Sequence, residues 1–515
     1  VPLNVYDFAC WARQTIVALS IVKAHRPVHA LPFDLQELMV DGRTAAERAT
    51  PRRTVSRRGI ALAVLDRAVR VYERHPFAPL RRIALARAEA WVVRRQEADG
   101  SWGGIQPPWV YSLIALQLQG YPIDHPVMCR GLEGIETFTV EDQDDAAGVG
   151  APQGRSRRLE ACQSPVWDTA LAMVALSDAG LDHGHPALLA GARWLLGEEV
   201  LVRGDWAQAR PALAPGGWAF EFENVNYPDV DDTAEVVLAL LRVGAARSVA
   251  GEDGAVGARE LSAAIDRGVA WLVGMQSSGG GWGAFDADNT RTLVRELPFL
   301  DFGEVIDEPS ADVTAHALEM LGALGQGDSA AAAAGTRWLL DQQEAGGSWY
   351  GRWGVNHVYG TGAAVPALVA VGLDPAEPPI RRAVRWLERH QNTDGGWGED
   401  PRSYDDPLWV GRGESTASQT AWALLALHAA GERGRAVERG VAWLISHQRA
   451  DGTWDEPQYT GTGFPSDYYI NYHLYRLSFP LMALARCMHA LEPGEGEQHD
   501  GRVARRLAGI RARSG

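Results

Sequence analysis

The stretch AVRWLERHQNTDGGWG, Ala383–Gly398, reads as a helix that runs into a glycine-rich turn. A helix stops at such a turn because glycine takes the left-handed backbone conformation that other residues resist. Within the stretch lies the pattern Trp-x4-Gln-x3-Gly-x-Trp, which occurs five times in the chain: Trp91/Gln96/Gly100/Trp102, Trp271/Gln276/Gly280/Trp282, Trp338/Gln343/Gly347/Trp349, Trp386/Gln391/Gly395/Trp397 and Trp443/Gln448/Gly452/Trp454. A looser copy runs from Trp194 through Glu199 and Gly204 to Trp206. Recurrence of this kind marks stacked helical units. The glutamine amide can bond exposed backbone at the helix end while the indole covers the turn, a tie worth about 1 kcal/mol net per hydrogen bond. The repeated tryptophans are therefore clamps between units.

A second repeat alternates with the first: PPWVYSLIAL, VWDTALAMVAL, VDDTAEVVLAL, DVTAHALEML, YGTGAAVPAL and SQTAWALLAL. Each is apolar nearly all round and so belongs inside. Outer amphipathic helices alternating with all-apolar inner ones predict an all-α chain of α/α barrel architecture, because the period-two alternation of strands is scarce. Aligning the inner helices on Thr169, Thr233, Thr314, Thr361 and Thr420 brings Trp167, Asp231, Asp312, Tyr359 and Ser418 to one level near the helix N-termini. His316 falls one turn inside, on the Asp312 face. The register thus nominates an acid cluster facing aromatic rings in an apolar chamber.

Composition narrows the function classes. With 515 residues, 46% of them hydrophobic, the chain can bury a large core, in two domains or in one with a large second layer. A net charge of -16 and no basic tract argue against a nucleic-acid partner. Cys10, Cys129, Cys162 and Cys487 are far apart and form no Cys-x-x-Cys pair, which favours a reducing compartment over a disulfide or zinc scaffold. No long apolar run or N-terminal signal is present, and mean hydropathy is -0.18, so no membrane span is predicted. The sequence opens on Val1 inside VYDFACWARQTIVALSIV, which reads as a fragment or processed form.

NVNYPDVDDTAEVVLALL, Asn224–Leu241, sets Asp229, Asp231 and Asp232 directly before an apolar helix. Capping explains one of these carboxylates, since an aspartate near a helix N-terminus satisfies free N–H groups. The copy EDQDDAAG, with Asp142, Asp144 and Asp145, lacks a following apolar helix and reads as a solvated loop. Asp231, Asp232 and Glu235 also spell a Mg²⁺ diphosphate site, but no second ligand motif or basic clamp accompanies them. The remaining reading is a strong Brønsted acid: crowded carboxylates in a low dielectric cannot all ionise, and a histidinium beside the one that keeps its proton sharpens its acidity.

At these residues the chain resembles the squalene-hopene cyclases, class II triterpene cyclases. The resemblance runs through YDFACWARQTIVALSIV, GSWGGIQPPWVYSLIAL, SPVWDTALA, PGGWAFEFENVNYPDVDDTAE, QSSGGGWGAFDADNT, PFLDFGEV, PSADVTAHALE, GRWGVNHVYGTG and YTGTGFPSDYYINYHLYRLSFP. The Trp repeat is similar to the family's QW motif. The resemblance implies two α/α barrel domains built from helix hairpins, expected at 1–160 (membrane-side, incomplete at its start) and 161–495 (catalytic), with a polar tail at 496–515. It implies that Asp231 protonates a terminal double bond of squalene, with Asp229 and Asp232 as supporting carboxylates, His316 polarising the acid and Asp312 as its neighbour. Trp11, Trp167, Phe220, Phe285, Trp353, Tyr359, Phe464, Tyr468, Tyr472 and Tyr475 match the cavity lining. Gln106 and Pro107 match the far, deprotonating end, and Phe8, Ile16, Phe299 and Leu300 the substrate channel.

Phe285 stands where some members have tyrosine, Tyr468 where some have phenylalanine, and Leu300 replaces a cysteine. The resemblance further implies no metal or other cofactor, a homodimer, and monotopic binding to one leaflet on the cytoplasmic face of the cell membrane. GIALAVLDRAVRVYERH, Gly59–His75, is the candidate membrane helix. It also implies that residues preceding Val1 complete both domains, so that this chain alone exposes apolar surface and turns over poorly. Rivals are a metal-dependent prenyl diphosphate terpene synthase, a prenyltransferase subunit, which needs a zinc-binding cysteine near the inner helices, an α/α glycosidase, which needs two separated carboxylates, and a repeat scaffold, which leaves buried acids without a purpose.

Overall fold

The computed structural model describes residues 4–33, 64, 67, 69–142, 156–244, 257–297 and 304–489. Phe299, Leu300, Asp144, Asp145, most of the candidate membrane helix and the tail at 496–515 lie outside the described residues. The fold is all-α, with two short antiparallel strand pairs among the described residues. The chain divides into two compact units, Val1–Ala161 with Arg291–Val305, and Cys162–Thr290 with Ile306–Gly515.

The first unit packs α1 (Cys10–His25) against α2 (Ala78–Val93) and α3 (Gln106–Leu118), and α3 against α4 (Pro126–Thr137). Its core gathers Ile21, Val92, Trp102, Trp109 and Leu116, and β1 (Thr139–Asp142) pairs with β2 (Ser156–Leu159). The segment before residue 305 belongs here: Trp11 Nε1 donates to the Glu304 carbonyl at 2.9 Å, and Arg291 pairs with Asp7.

The second unit is an α/α barrel. Its inner helices are α5 (Pro165–Asp178), α7 (Val230–Gly244), α9 (Ala311–Ala323), α11 (His357–Ala370), α13 (Ala417–Ala429) and α15 (Tyr475–His489). Each packs on the next and α15 returns to α5, so the ring closes. Outside it lie α6 (Pro186–Gly197), α8 (Ala258–Gly274), α10 (Ala330–Asp341), α12 (Pro378–His390) and α14 (Arg435–His447). The pattern follows the sequence: α12 buries Ile380, Ala383, Val384, Trp386 and Leu387 and turns its charges outward, whereas α11 is buried along nearly all its length. β3 (Gly461–Phe464) and β4 (Tyr468–Ile470) form a hairpin before α15.

The regular Trp turns share the indole bond and the glutamine bond within the turn. Trp397 Nε1 donates to the Leu387 carbonyl, and Gln391 Nε2 to the carbonyls of Gly395 and of Ala436 on the next outer helix. Trp397 N–H is received by Thr420 Oγ1, the threonine used to align the inner helices. The turns at Trp282 and Trp349 repeat this with Thr314 and Thr361. Gly395 needs its φ of 103° because a Cβ there would press on the Arg439 backbone.

The looser copy requires a correction. Its clamp is Trp218, whose Nε1 donates to the Leu195 carbonyl and whose N–H is received by Thr233, rather than Trp206. An insertion carrying the 3₁₀ turn Asp205–Gln208 separates Trp218 from its helix, and Trp206 instead packs edge-to-face on Trp271.

Candidate active site

The segment entering α7 is pinned on both sides: Asp229 N–H donates to the Trp218 carbonyl, and Val230 N–H to the Ala284 carbonyl at 2.8 Å. Asp229 Oδ1 accepts the Asp232 N–H at 2.7 Å, the capping bond the sequence allows for one carboxylate. Asp229 and Asp232 are buried, and their two carboxyls hydrogen-bond each other. Burial pushes both far above the usual carboxylate range; the hydrogen bonds from Asp232 act against this at Asp229, the adjacent Asp229 adds to it at Asp232, and Asp231 and Glu221 push both further. Two such groups cannot both ionise.

Asp231 differs from its neighbours. Its Oδ1 lies 2.7 Å from His316 Nδ1, a contact that joins the neighbouring inner helices α7 and α9. Burial opposes charge on that imidazole, but Asp231, and then Glu235 and Asp312, lift it to about 10. At neutral pH it is an imidazolium that donates to Asp231. Asp312 is fully buried and engaged at both oxygens, by Ser310 Oγ and Val313 N–H on one and by Arg352 and Trp353 N–H on the other. Ser418 likewise donates its hydroxyl to Glu456. Of the five residues that the register brings to one level, Trp167, Asp231 and Tyr359 surround His316, while Asp312 and Ser418 hold backbone and side chains of the wall.

Rings extend outward from the acid. Trp167 and Tyr359 lie 6.0 and 6.2 Å from His316, and Trp167 Nε1 donates to the Tyr475 hydroxyl. Tyr472 stacks on Tyr475, Phe220 meets Tyr472 edge-to-face, Phe285 meets Trp353 at 6.1 Å and 77°, and Phe464 approaches Tyr468. Phe220, Phe285, Trp353, Phe464 and Tyr472 are half-buried and Tyr468 is exposed. In the first unit Phe8 and Trp11 are buried, Ile16 is half-buried, and Gln106 and Pro107 open α3.

Sequence reasoning missed Trp422. It lies 4.7 Å from Tyr359 and 5.9 Å from Tyr475, joining the two, yet in SQTAWALLAL it reads as core filling. Glu235, weighed only as a metal ligand, is buried and pushed up to about 7. It lines a cavity of about 60 Å³ with His316, Tyr359, Trp422 and Arg486, to which all six inner helices contribute. Among the described residues no group of three or more His, Cys, Asp or Glu side chains is disposed to hold a metal ion.

A carboxyl group fixed by an imidazolium within a closed, aromatic-lined barrel is the equipment of an acid-initiating α/α-barrel enzyme. The squalene-hopene cyclase C-terminal domain matches residues 163–489, and the N-terminal domain residues 1–144. The squalene–hopene cyclase of Alicyclobacillus acidocaldarius is 49% identical over 95% of this chain and 74% of its own length. That of Bradyrhizobium diazoefficiens is 40% identical over 94% and 72%. Dammaradiene synthase of the fern Dryopteris crassirhizoma is 38% identical over 94% and 71%. The chain belongs to the squalene-hopene cyclase family and is a class II terpene cyclase.

Proposed function

We propose that this enzyme cyclises squalene to hopene, or to hopanol by capture of water, with Asp231 as the proton donor. The observation that carries the reading is the 2.7 Å contact between Asp231 and the buried His316. The imidazolium holds one carboxyl oxygen, so a proton on the other faces the substrate. An isolated alkene is a poor base, and only a strong acid in a dry site protonates it. The Asp231 proton adds to the CH carbon of the terminal double bond, its dimethyl-bearing partner becomes a tertiary cation, and each following double bond attacks the cation before it. A final C–H proton leaves, or water adds and sheds one.

Lone pairs would quench these cations. The faces of Phe220, Phe285, Trp353, Phe464 and Tyr472 offer negative quadrupoles without a nucleophile, each worth about 2 kcal/mol when desolvated. Asp229 and Asp232 support Asp231 as buried carboxyls that share at most one negative charge, and Gln106 and Pro107 mark the end at which the last proton leaves. In this reading residues 161–495 form the catalytic barrel, and the protein is a homodimer seated in one leaflet on the cytoplasmic face. Exposed Val69, Val71, Phe77, Leu80 and Ile83 support that seat, and no helix among the described residues is long and apolar enough to cross a membrane.

Incubation with squalene in detergent, with and without EDTA, tests the activity, with gas chromatography of the products. Metal-independent formation of pentacyclic product is expected. Asp231→Asn keeps the shape and loses the acid, so turnover is expected to fall more than 10³-fold with the melting temperature retained; full turnover by a folded variant overturns the assignment.

A further inference from the structure

Asp307 is buried at 4% exposure and meets backbone on three sides. Its Oδ1 accepts the Ala284 N–H at 3.1 Å, and its Oδ2 accepts those of Phe285 at 2.6 Å and Asp286 at 2.7 Å. Its own N–H donates to Asn289 Oδ1 at 2.8 Å. A Cβ on Gly283 would strike the Asp307 carbonyl at 2.7 Å and its carboxyl at 3.1 Å, so the turn closes tightly over this side chain. Burial lifts the carboxyl to about 6, the nearby Asp286 adds to this, and the three N–H donors work against it.

The same short turn is held from its other side by the acid's helix. The Ala284 carbonyl accepts the N–H of Val230, the residue immediately before Asp231. Phe285 is therefore suspended between Asp307 and the first residue of α7, and its ring meets Trp353 edge-to-face. Trp353 is fixed in the same manner, its N–H donating to Asp312 at 2.7 Å. Two carboxylates five positions apart, on the segment that leads into the His316 helix, thus hold the backbone of one ring each.

We propose that Asp307 is a positioning residue for specificity, which sets the Phe285 ring relative to the Asp231 acid and so decides how far the cyclisation runs before it terminates. The inference rests on the reading of Phe285 as a cation-stabilising ring. A carboxylate reaching three successive N–H groups fixes both the height and the tilt of that peptide, whereas an amide at this position has one acceptor atom and turns two donors toward donors. Ring faces stabilise a cation only within a few ångströms of the centroid, so a small displacement of the peptide changes which intermediate is protected.

The test is a product-profile cycle of Asp307→Asn, Phe285→Leu and the double variant on squalene, together with ¹⁹F NMR of the protein labelled with 4-fluorophenylalanine. D307N is expected to raise the fraction of incompletely cyclised products about tenfold in the Phe285 background and less than twofold in the F285L background. The 285 resonance is expected to shift or split in D307N, with that of Phe138, in the other unit, unchanged. An unaltered profile overturns the proposal, as do equal changes in both backgrounds, which denote general loosening. A single unshifted 285 resonance overturns it independently of substrate. Failure of the cyclase reading itself shows as an inactive wild-type protein, with the ¹⁹F result still deciding whether Asp307 positions the ring. If D307N does not fold, Asn289→Ala, which frees the Asp307 N–H, carries both readouts and is expected to move them in the same direction by a smaller factor.

Discussion

Two carboxyl clusters sit at the entrances of inner helices in the same barrel, and they are finished differently. At the start of α11, Glu399 is buried and accepts the N–H groups of Gly411 at 2.9 Å, Val358 at 2.8 Å and Asn356 at 3.4 Å. At the start of α7, the buried carboxyls of Asp229 and Asp232 lean on each other, and Asp231 faces an imidazolium. Burial raises the carboxyl pKa in both places, to about 7 for Glu399. At Glu399 three backbone donors take up the lone pairs, against one in the α7 cluster, and a group so held keeps structure together. The α7 cluster keeps the strain of crowded buried carboxyls, which is a cost to the fold.

The largest effect that sharpens this contrast is expected at His316. His316→Phe removes the donor to Asp231, and turnover on squalene is expected to drop on the order of 10²- to 10³-fold. The imidazole is lifted from 6.5 to about 10, so the stability it adds is full below pH 6.5 and is lost as pH rises through 10. The wild-type advantage in melting temperature over H316F is therefore expected to shrink across that window. A constant advantage would mean that the buried imidazole is not charged.

Glu399→Gln is expected to lower stability by about 2 kcal/mol, since it turns donors toward backbone N–H groups. Turnover per folded molecule is expected to stay within twofold of wild type, read from denaturant melts and initial rates. The smallest and most discriminating change is Asp232→Asn. Removing one of two crowded carboxyls is expected to leave stability unchanged or raise it by about 1 kcal/mol, while turnover falls at least tenfold. If D232N melts as early as E399Q, the distinction between a satisfied and a strained carboxyl cluster breaks.

Much of this was legible in the sequence, for reasons that also explain the rest. The Trp repeat and the apolar inner helices give the barrel, because their periods are fixed by the helix itself. Register set Asp231 level with Asp312 and put His316 one turn further in, since parallel inner helices place equal offsets at equal heights, and the family resemblance supplied the pairing of His316 with Asp231. Trp218 was hidden because an inserted turn breaks the spacing that the repeat relies on. Trp422 was hidden because an aromatic ring in an apolar helix has the same pattern whether it fills a core or joins a site. Glu399 and Asp307 could not be read at all, as their partners are N–H groups of loops distant in sequence, and backbone carries no residue signature.

The Trp turns have a consequence for how such a chain changes over time. In all five regular copies the indole N–H and the glutamine N–H end on main-chain carbonyls. A carbonyl is present whatever side chain its residue carries. Apart from the threonine that receives the Trp N–H, one hairpin can therefore drift in sequence without a matching change in the hairpin it grips. A clamp indifferent to its neighbour's identity gives such a protein modular parts, on which new product outcomes can be tried one substitution at a time.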